Sequence, residues 1–228
     1  MTIQLIVFDM AGTTVEDKQN VAVALQNALM AYDYEVKIED INLVMGYPKP
    51  VAIKNLLAQC AGEHVAGDKT LIDKIHDSFV AEIIRFYQED ADIKEKDNAA
   101  AVFLRLKAMG IKVALDTGFS RKIADTIIQR LGWQQDVHFD ISITSDEVQN
   151  GRPFPDMIFK AMNDLDIANT AFVAKVGDTV SDLQEGNAAD CRLVIGITTG
   201  AYSATELAKE KHTHLISNLE EVVEIVSA

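Results

Sequence analysis

The sequence predicts an α/β fold, a doubly wound, mostly parallel, Rossmann-like sheet with an inserted helical cap domain. Three observations predict it. Short apolar runs at residues 3–8, 111–115, 141–144 and 171–176 each lead into a polar, glycine-containing turn. Such runs read as strands buried on both faces. Segments with apolar residues at helical spacing separate them, and this alternation breaks once, after the first strand, where helices follow one another without a strand between.

Along the chain, the strand at residues 3–8 delivers Asp9-Met10-Ala11-Gly12-Thr13-Thr14 at its carboxyl end. A carboxylate followed by Gly and two hydroxyl residues reads as a tight turn at the sheet edge where α/β proteins bind ligands. Residues 21–30 repeat apolar side chains at helical spacing, and Gly46-Tyr47-Pro48-Lys49-Pro50 opens a second helix through Leu56 and Leu57. A third, at residues 71–87, carries Ile75, Phe79, Ile83 and Phe86 on one stripe. The Phe79, Phe86 and Tyr87 stripe reads as cap core, and the acidic run 89–97 as a solvated linker. The helix at residues 99–109 then ends at Gly110, a natural C-cap, and the β/α rhythm resumes. The expected division is a core domain of residues 1–16 and 98–228, with a helical cap at residues 17–97. Trp133, after a helix stop at Gly132, is expected to pack.

The chain has 228 residues, 48% of them apolar, enough to bury a full core. Its net charge of −14 argues against nucleic acid or an anionic membrane as partner. Local cations such as Arg121, Arg152 and Lys175 can still reverse the field within one pocket. No segment approaches the roughly 18 apolar residues of a membrane span. The N-terminus enters a short strand rather than a basic segment and apolar run, so a secretory signal is not expected. Cys60 and Cys191 lack metal-ligand spacing and read as buried free thiols of a reducing cytoplasm.

The turns after the four runs, placed on one edge of a parallel sheet, would bring Asp9, Thr117, Arg152, Asp178 and Asp182 into one pocket. Two acidic loops can hold Mg²⁺, a hard cation often shared with substrate phosphate. Thr117 and the amides of the Asp9 turn can donate to phosphoryl oxygens, and Arg152 can balance charge in the transferring group. Asp9 itself can attack phosphorus. Competing structural readings exist. Asp9 would be only a turn residue, Asp178 and Asp182 helix caps, Thr117 a turn hydroxyl, Arg152 a surface cation before proline, and Lys49 a solvated lysine at a helix start.

Taken in order, Asp9-Met-Ala-Gly-Thr-Thr, Thr117-Gly118, Gly151-Arg152-Pro153 and Val176-Gly-Asp-Thr-Val-Ser-Asp182 resemble the four motifs of the haloacid dehalogenase superfamily. The helical insertion stands where that superfamily places its cap. The likeness is greatest to its phosphonatase-like subgroup, which shares Ala two residues after the nucleophile and Arg where most relatives use Lys. The resemblance implies a nucleophile at Asp9 and a metal held by the Asp9 carboxylate, the Ala11 carbonyl and Asp178, with Asp182 at or behind it. Phosphate contacts would come from the turn of Ala11, Gly12 and Thr13, from Thr117-Gly118 and from Arg152. Ala11 replaces the second Asp that ordinary phosphatases of this superfamily use as acid and base. In the phosphonatase-like subgroup a cap lysine forms a Schiff base with an aldehyde substrate instead, and Met45-Gly46-Tyr47-Pro48-Lys49 is similar to that segment. The subgroup's histidine three residues later falls on Ala52 here. The resemblance implies a Mg²⁺-dependent hydrolase of a small phosphorylated or phosphonate metabolite, with C–P cleavage if Lys49 forms an imine. The alternatives are a phosphatase of a small phosphate monoester and a catalytically weak phosphate-binding protein. The outer surface of a helical cap could support a homodimer.

Overall fold

The computed structural model describes residues 2–227. Its centre is a six-stranded sheet, β1 (Leu5–Asp9), β2 (Lys112–Thr117), β3 (Ile141–Thr144), β4 (Val173–Gly177), β5 (Leu193–Ile197) and β6 (His214–Ile216). The spatial order is β3-β2-β1-β4-β5-β6, and every neighbouring pair is parallel. β1 is buried at every residue because β2 and β4 flank it and helices cover both faces.

Side chains alternate across a strand, so each face of the sheet is built from every second residue. Ile6 and Phe8 join Val113 and Leu115 in an apolar cluster with Val102, Phe103 and Leu106 of α6 (Ala99–Ala108). Leu5, Val7, Ala114 and Val173 face the other way, onto Met157, Ile158 and Ala161 of α8 (Asp156–Asp164). The same alternation carried to the strand ends puts Asp9, Asp116 and Lys175 on this second face. Asp9 pairs in register with Asp116, and Val7 with Lys175.

Between β1 and β2 the chain forms α1 (Asn20–Met30), α2 (Ile38–Asn42), α3 (Lys49–Ala61), α4 (Glu63–Ala66) and α5 (Lys69–Glu89), with no strand among them. The N-cap Asp68 accepts a hydrogen bond from the Leu71 amide at 3.1 Å, which starts α5. The stripe Ile72, Ile75, Phe79 and Ile83 is buried. One apolar cluster continues from these helices to the sheet, with Phe79 and Tyr87 ring centroids 6.3 and 6.4 Å from that of Phe119. The two connecting segments pair with each other. Glu16 donates its amide to the Lys94 carbonyl at 3.1 Å, and Lys96 donates its amide to the Thr14 carbonyl at 2.9 Å.

Three expectations need correction. The acidic run 89–97 is not solvated throughout, because Lys96 is only 8% exposed and Glu95 accepts a hydrogen bond from the Trp133 indole at 3.2 Å. Cys60 is exposed, its Sγ facing the Leu57 carbonyl of its own helix rather than the core. β5 and β6 were not foreseen at all. Among the described residues no helix is long and apolar enough to cross a membrane.

Candidate active site

Asp9, Ala11, Lys49, Thr117, Gly118 and Arg152 line one pocket at the carboxyl edge of the sheet. Two of these six come from the Asp9 turn, two from the end of β2, one from the loop after β3 and one from the helical insertion. Gly12 and Thr13 continue the Asp9 turn but do not line the pocket. Thr13 Oγ1 donates to Asp178 Oδ1 at 2.8 Å, and the Ala201 amide donates to Asp178 Oδ2 at 2.6 Å. A Cβ at Gly12, whose φ is +93°, would stand 2.8 Å from the Asp178 Cγ, so glycine lets the two loops meet.

Arg152 is not a surface cation. It is 2% exposed and its guanidinium is fully engaged. Nη1 lies 2.6 Å from Asp9 Oδ1 and 3.1 Å from Asp182 Oδ1, Nε donates to Glu185 Oε2 at 3.0 Å, and Nη2 donates to the side chain and carbonyl of Asp116. Lys175, inside apolar β4, pairs with Asp116, Asp182 and Glu185. Four carboxylates thus surround two cations in a dry interior. Asp116 Oδ2, Asp182 Oδ1 and Glu185 Oε1 accept no hydrogen bond. Burial pushes the Asp9 carboxyl up to about 8, with Arg152 opposing and Asp182 and Asp178 reinforcing. Burial likewise pushes Asp178 up to about 6 and Glu185 up to about 8. Burial alone would raise Asp116 too, but Arg152 and Lys175 hold it below the usual range.

These crowded carboxylates fit a hard divalent cation. Oxygens of Asp9, Asp178 and Asp182, all buried, lie within 4.8 Å of one another, a set of hard oxygen donors with more negative charge than the neighbouring cations balance. Asp182 also caps a helix, since Thr179 and Asp182 form a capping box at the start of α9 (Val180–Ala188). Asp178 makes no such cap.

Lys49 is not a solvated helix-start lysine. It opens α3 and is 3% exposed. Its Nζ stands 5.3 Å from the Phe119 centroid and 6.0 Å from that of Phe79, and among the described residues its one hydrogen-bond acceptor is the Tyr47 carbonyl at 3.5 Å. Burial brings its ammonium down to about 8, while Asp9 pulls the other way. Ala52, one turn along α3, is fully buried and offers no polar atom. The insertion presses closely on the core here. A Cβ on Gly118 would stand 2.7 Å from the Gly46 carbonyl oxygen and 2.8 Å from that of Tyr47.

Sequence reasoning named Lys175 only as a local cation and Asp116 only as the neighbour of Thr117, without their ionic partners. It missed Glu185, whose one signal was its position about one helical turn after Asp182. Val21, Met45, Gly46, Phe119, Thr179 and Ala201 also line the pocket. Arg121 lies elsewhere, bonded to Ser142, Glu147 and Asp125.

An acidic turn after β1, a buried arginine beside it and a second acidic loop after β4 define a class of hydrolase. The chain matches the haloacid dehalogenase-like hydrolase family over residues 3–190 and belongs to it. It is 28% identical to phosphonoacetaldehyde hydrolase of Bacillus cereus over 242 aligned positions, which cover 99% of this chain and 87% of that protein. Its fold resembles that of a phosphonoacetaldehyde hydrolase-like protein from Oleispira antarctica, with a TM-score of 0.84 and 21% identity over 99% of this chain and 93% of the other. It likewise resembles CbbY from Rhodobacter sphaeroides in complex with phosphate, with a TM-score of 0.81 and 21% identity over 96% of each chain. At these identities the two structures speak for the fold alone.

Proposed function

We propose that this hydrolase transfers a phosphoryl group from a small substrate to Asp9 and then to water, and that the substrate is phosphonoacetaldehyde or a similarly small 2-oxo phosphonate. The observation that carries this reading is Lys49, a buried amine in the same pocket as Asp9 and, among the described residues, without a carboxylate in ion-pair contact. Residues 17–97 act as the cap that encloses the substrate and excludes water.

In this reading the neutral Lys49 amine attacks the substrate aldehyde and releases water, giving an imine. Once protonated, the imine accepts the electron pair of the P–C bond as Asp9 attacks phosphorus, leaving an enamine on Lys49 and a phosphoryl group on Asp9. Water then hydrolyses both, returning phosphate, acetaldehyde and free enzyme. Thr117 and the amides of the Asp9 turn hold phosphoryl oxygens, and Arg152 fixes the Asp9 carboxylate. Mg²⁺ held by Asp9, the Ala11 carbonyl and Asp178, with Asp182 behind them, would neutralise charge shared by the carboxylate and the phosphoryl oxygens.

One observation favours a second reading. A lysine titrating near 8 is largely protonated at pH 7, so Lys49 could instead protonate the leaving oxygen of a phosphate monoester in place of the acid missing at Ala11. Borohydride reduction during turnover of phosphonoacetaldehyde, with peptide mass mapping, separates the two. A reduced adduct on Lys49 supports the imine; phosphate ester turnover without an adduct supports the acid.

A further inference from the structure

Lys96 is a buried cation that the chemistry above does not use. It is 8% exposed, in the second segment joining the helical insertion to the sheet. Its Nζ donates to the Gly12 carbonyl at 2.7 Å and the Thr199 carbonyl at 2.9 Å. These acceptors lie on two separate loops, and each loop supplies one donor to Asp178. Thr13, next to Gly12, donates to Oδ1 at 2.8 Å. Ala201, two residues after Thr199, donates through its amide to Oδ2 at 2.6 Å. One ammonium group therefore clamps both loops that orient the two oxygens of one carboxylate.

The cost of this arrangement indicates a purpose beyond packing. Burying an ammonium is expensive unless its hydrogen bonds are satisfied, and a solvated residue at this position would avoid that cost. Lys94, two residues earlier, is such a residue, exposed and paired with Glu16 at 3.1 Å. Lys96 is also anchored through its backbone, since its amide donates to the Thr14 carbonyl on the first connecting segment. The next two residues, Asp97 and Asn98, have φ of +49° and +55°, a left-handed backbone that non-glycine residues adopt at a cost. The segment is thus held in one conformation at the point where Lys96 reaches inward.

We propose that Lys96 is a positioning residue for Asp178, fixing through Gly12 and Thr199 the two loops whose donors hold that carboxylate in place for a divalent cation. The proposal rests on the metal reading of the site, and not on the identity of the substrate or on Lys49. Partners behind a metal ligand commonly account for 10- to 100-fold in metal affinity.

The test is Mn²⁺ binding followed by electron paramagnetic resonance, which needs no turnover. Lys96→Met keeps the length and apolar stem of the side chain but removes its donors. The variant should stay folded by circular dichroism and bind Mn²⁺ about 10-fold more weakly. Lys94→Met, which removes the same charge from the same segment, should bind as the wild type does. Lys96→Met with wild-type Mn²⁺ affinity, or with a lower melting temperature and unchanged affinity, overturns the proposal. Should Lys96→Met fail to fold, Lys96→Gln is read by the same affinity criterion. Wild-type protein that binds no Mn²⁺ would overturn the metal reading, and this proposal with it.

Discussion

Arg152 Nη1 lies 2.6 Å from Asp9 Oδ1, and neither side chain is more than 7% exposed. The arginine reaches the proposed nucleophile from a loop 143 residues away. It is held there by Asp116, Asp182 and Glu185, so the reactive carboxylate rests on a buried ionic network rather than on solvent. The carboxylates outnumber the cations, and several expectations follow from that imbalance.

Asp9 should cost stability when no metal is bound. Its folded-state pKa is raised from 3.8 to about 8, so between those values the unfolded chain binds fewer protons than the folded one, and stability falls as pH rises. Asp9→Asn removes this loss. In EDTA, thermal melts should show the variant gaining on the wild type as pH increases from about 4 to 8. A gap independent of pH would contradict the assignment.

The network should respond oppositely to losing a cation and losing a surplus carboxylate. Lys175→Met leaves Asp116, Asp182 and Glu185 short of one partner and should destabilise by about 3–5 kcal/mol in urea unfolding. Burial pushes the Glu185 carboxyl up to about 8, so at neutral pH Glu185→Gln keeps the shape, removes little charge, and should cost less than about 1 kcal/mol or stabilise. Equal losses would mean that the network is balanced after all.

Lys49 should react as an amine at unusually low pH. A folded-state pKa of about 8 means that the nucleophilic neutral form is gained as pH rises through 8. Borohydride-trapped adduct at Lys49 should therefore climb between about pH 7 and 9, well below the roughly 10.4 of an ordinary lysine. A midpoint near the ordinary value would show that the closed, desolvated pocket does not persist in solution.

Close approach of the insertion at Gly118 should be needed for turnover. Gly118→Ala would push a methyl group against the carbonyl oxygens of Gly46 and Tyr47. Displacing a catalytic group by about 1 Å can cost on the order of 100-fold, so kcat/KM should fall by about that much while the melting temperature changes little. Unchanged kinetics would mean that this contact is not part of the working state.

Much of this was legible in the sequence because its signals are local. The apolar run ending in Asp9 specifies a buried strand and its turn, and the three longer helices α1, α3 and α5 announce themselves by apolar spacing, whereas the short α2 and α4 do not. β5 and β6 escaped because neither Leu193–Ile197 nor His214–Ile216 leads into an acidic turn, and β6 has only three residues. Asp9, Thr117, Arg152 and Asp178 could be proposed as site residues from the sequence because each ends or follows a strand. Glu185 and Lys96 could not be found this way. Their meaning depends on which loops lie opposite them in space, and in sequence Lys96 is one more charge in an acidic linker. Lys49 was ambiguous for the same reason, since burial against Phe79 and Phe119 comes from α5 and from the loop after β2, far along the chain.

The central claim is phosphoryl transfer to Asp9, and the most direct measurement is phosphate release from phosphonoacetaldehyde with Mg²⁺ by wild-type and Asp9→Asn proteins side by side. The account predicts steady release by the wild type and a loss of about 10⁴-fold or more in the variant, whose amide cannot serve as the nucleophile. Release at the wild-type rate by Asp9→Asn would contradict it.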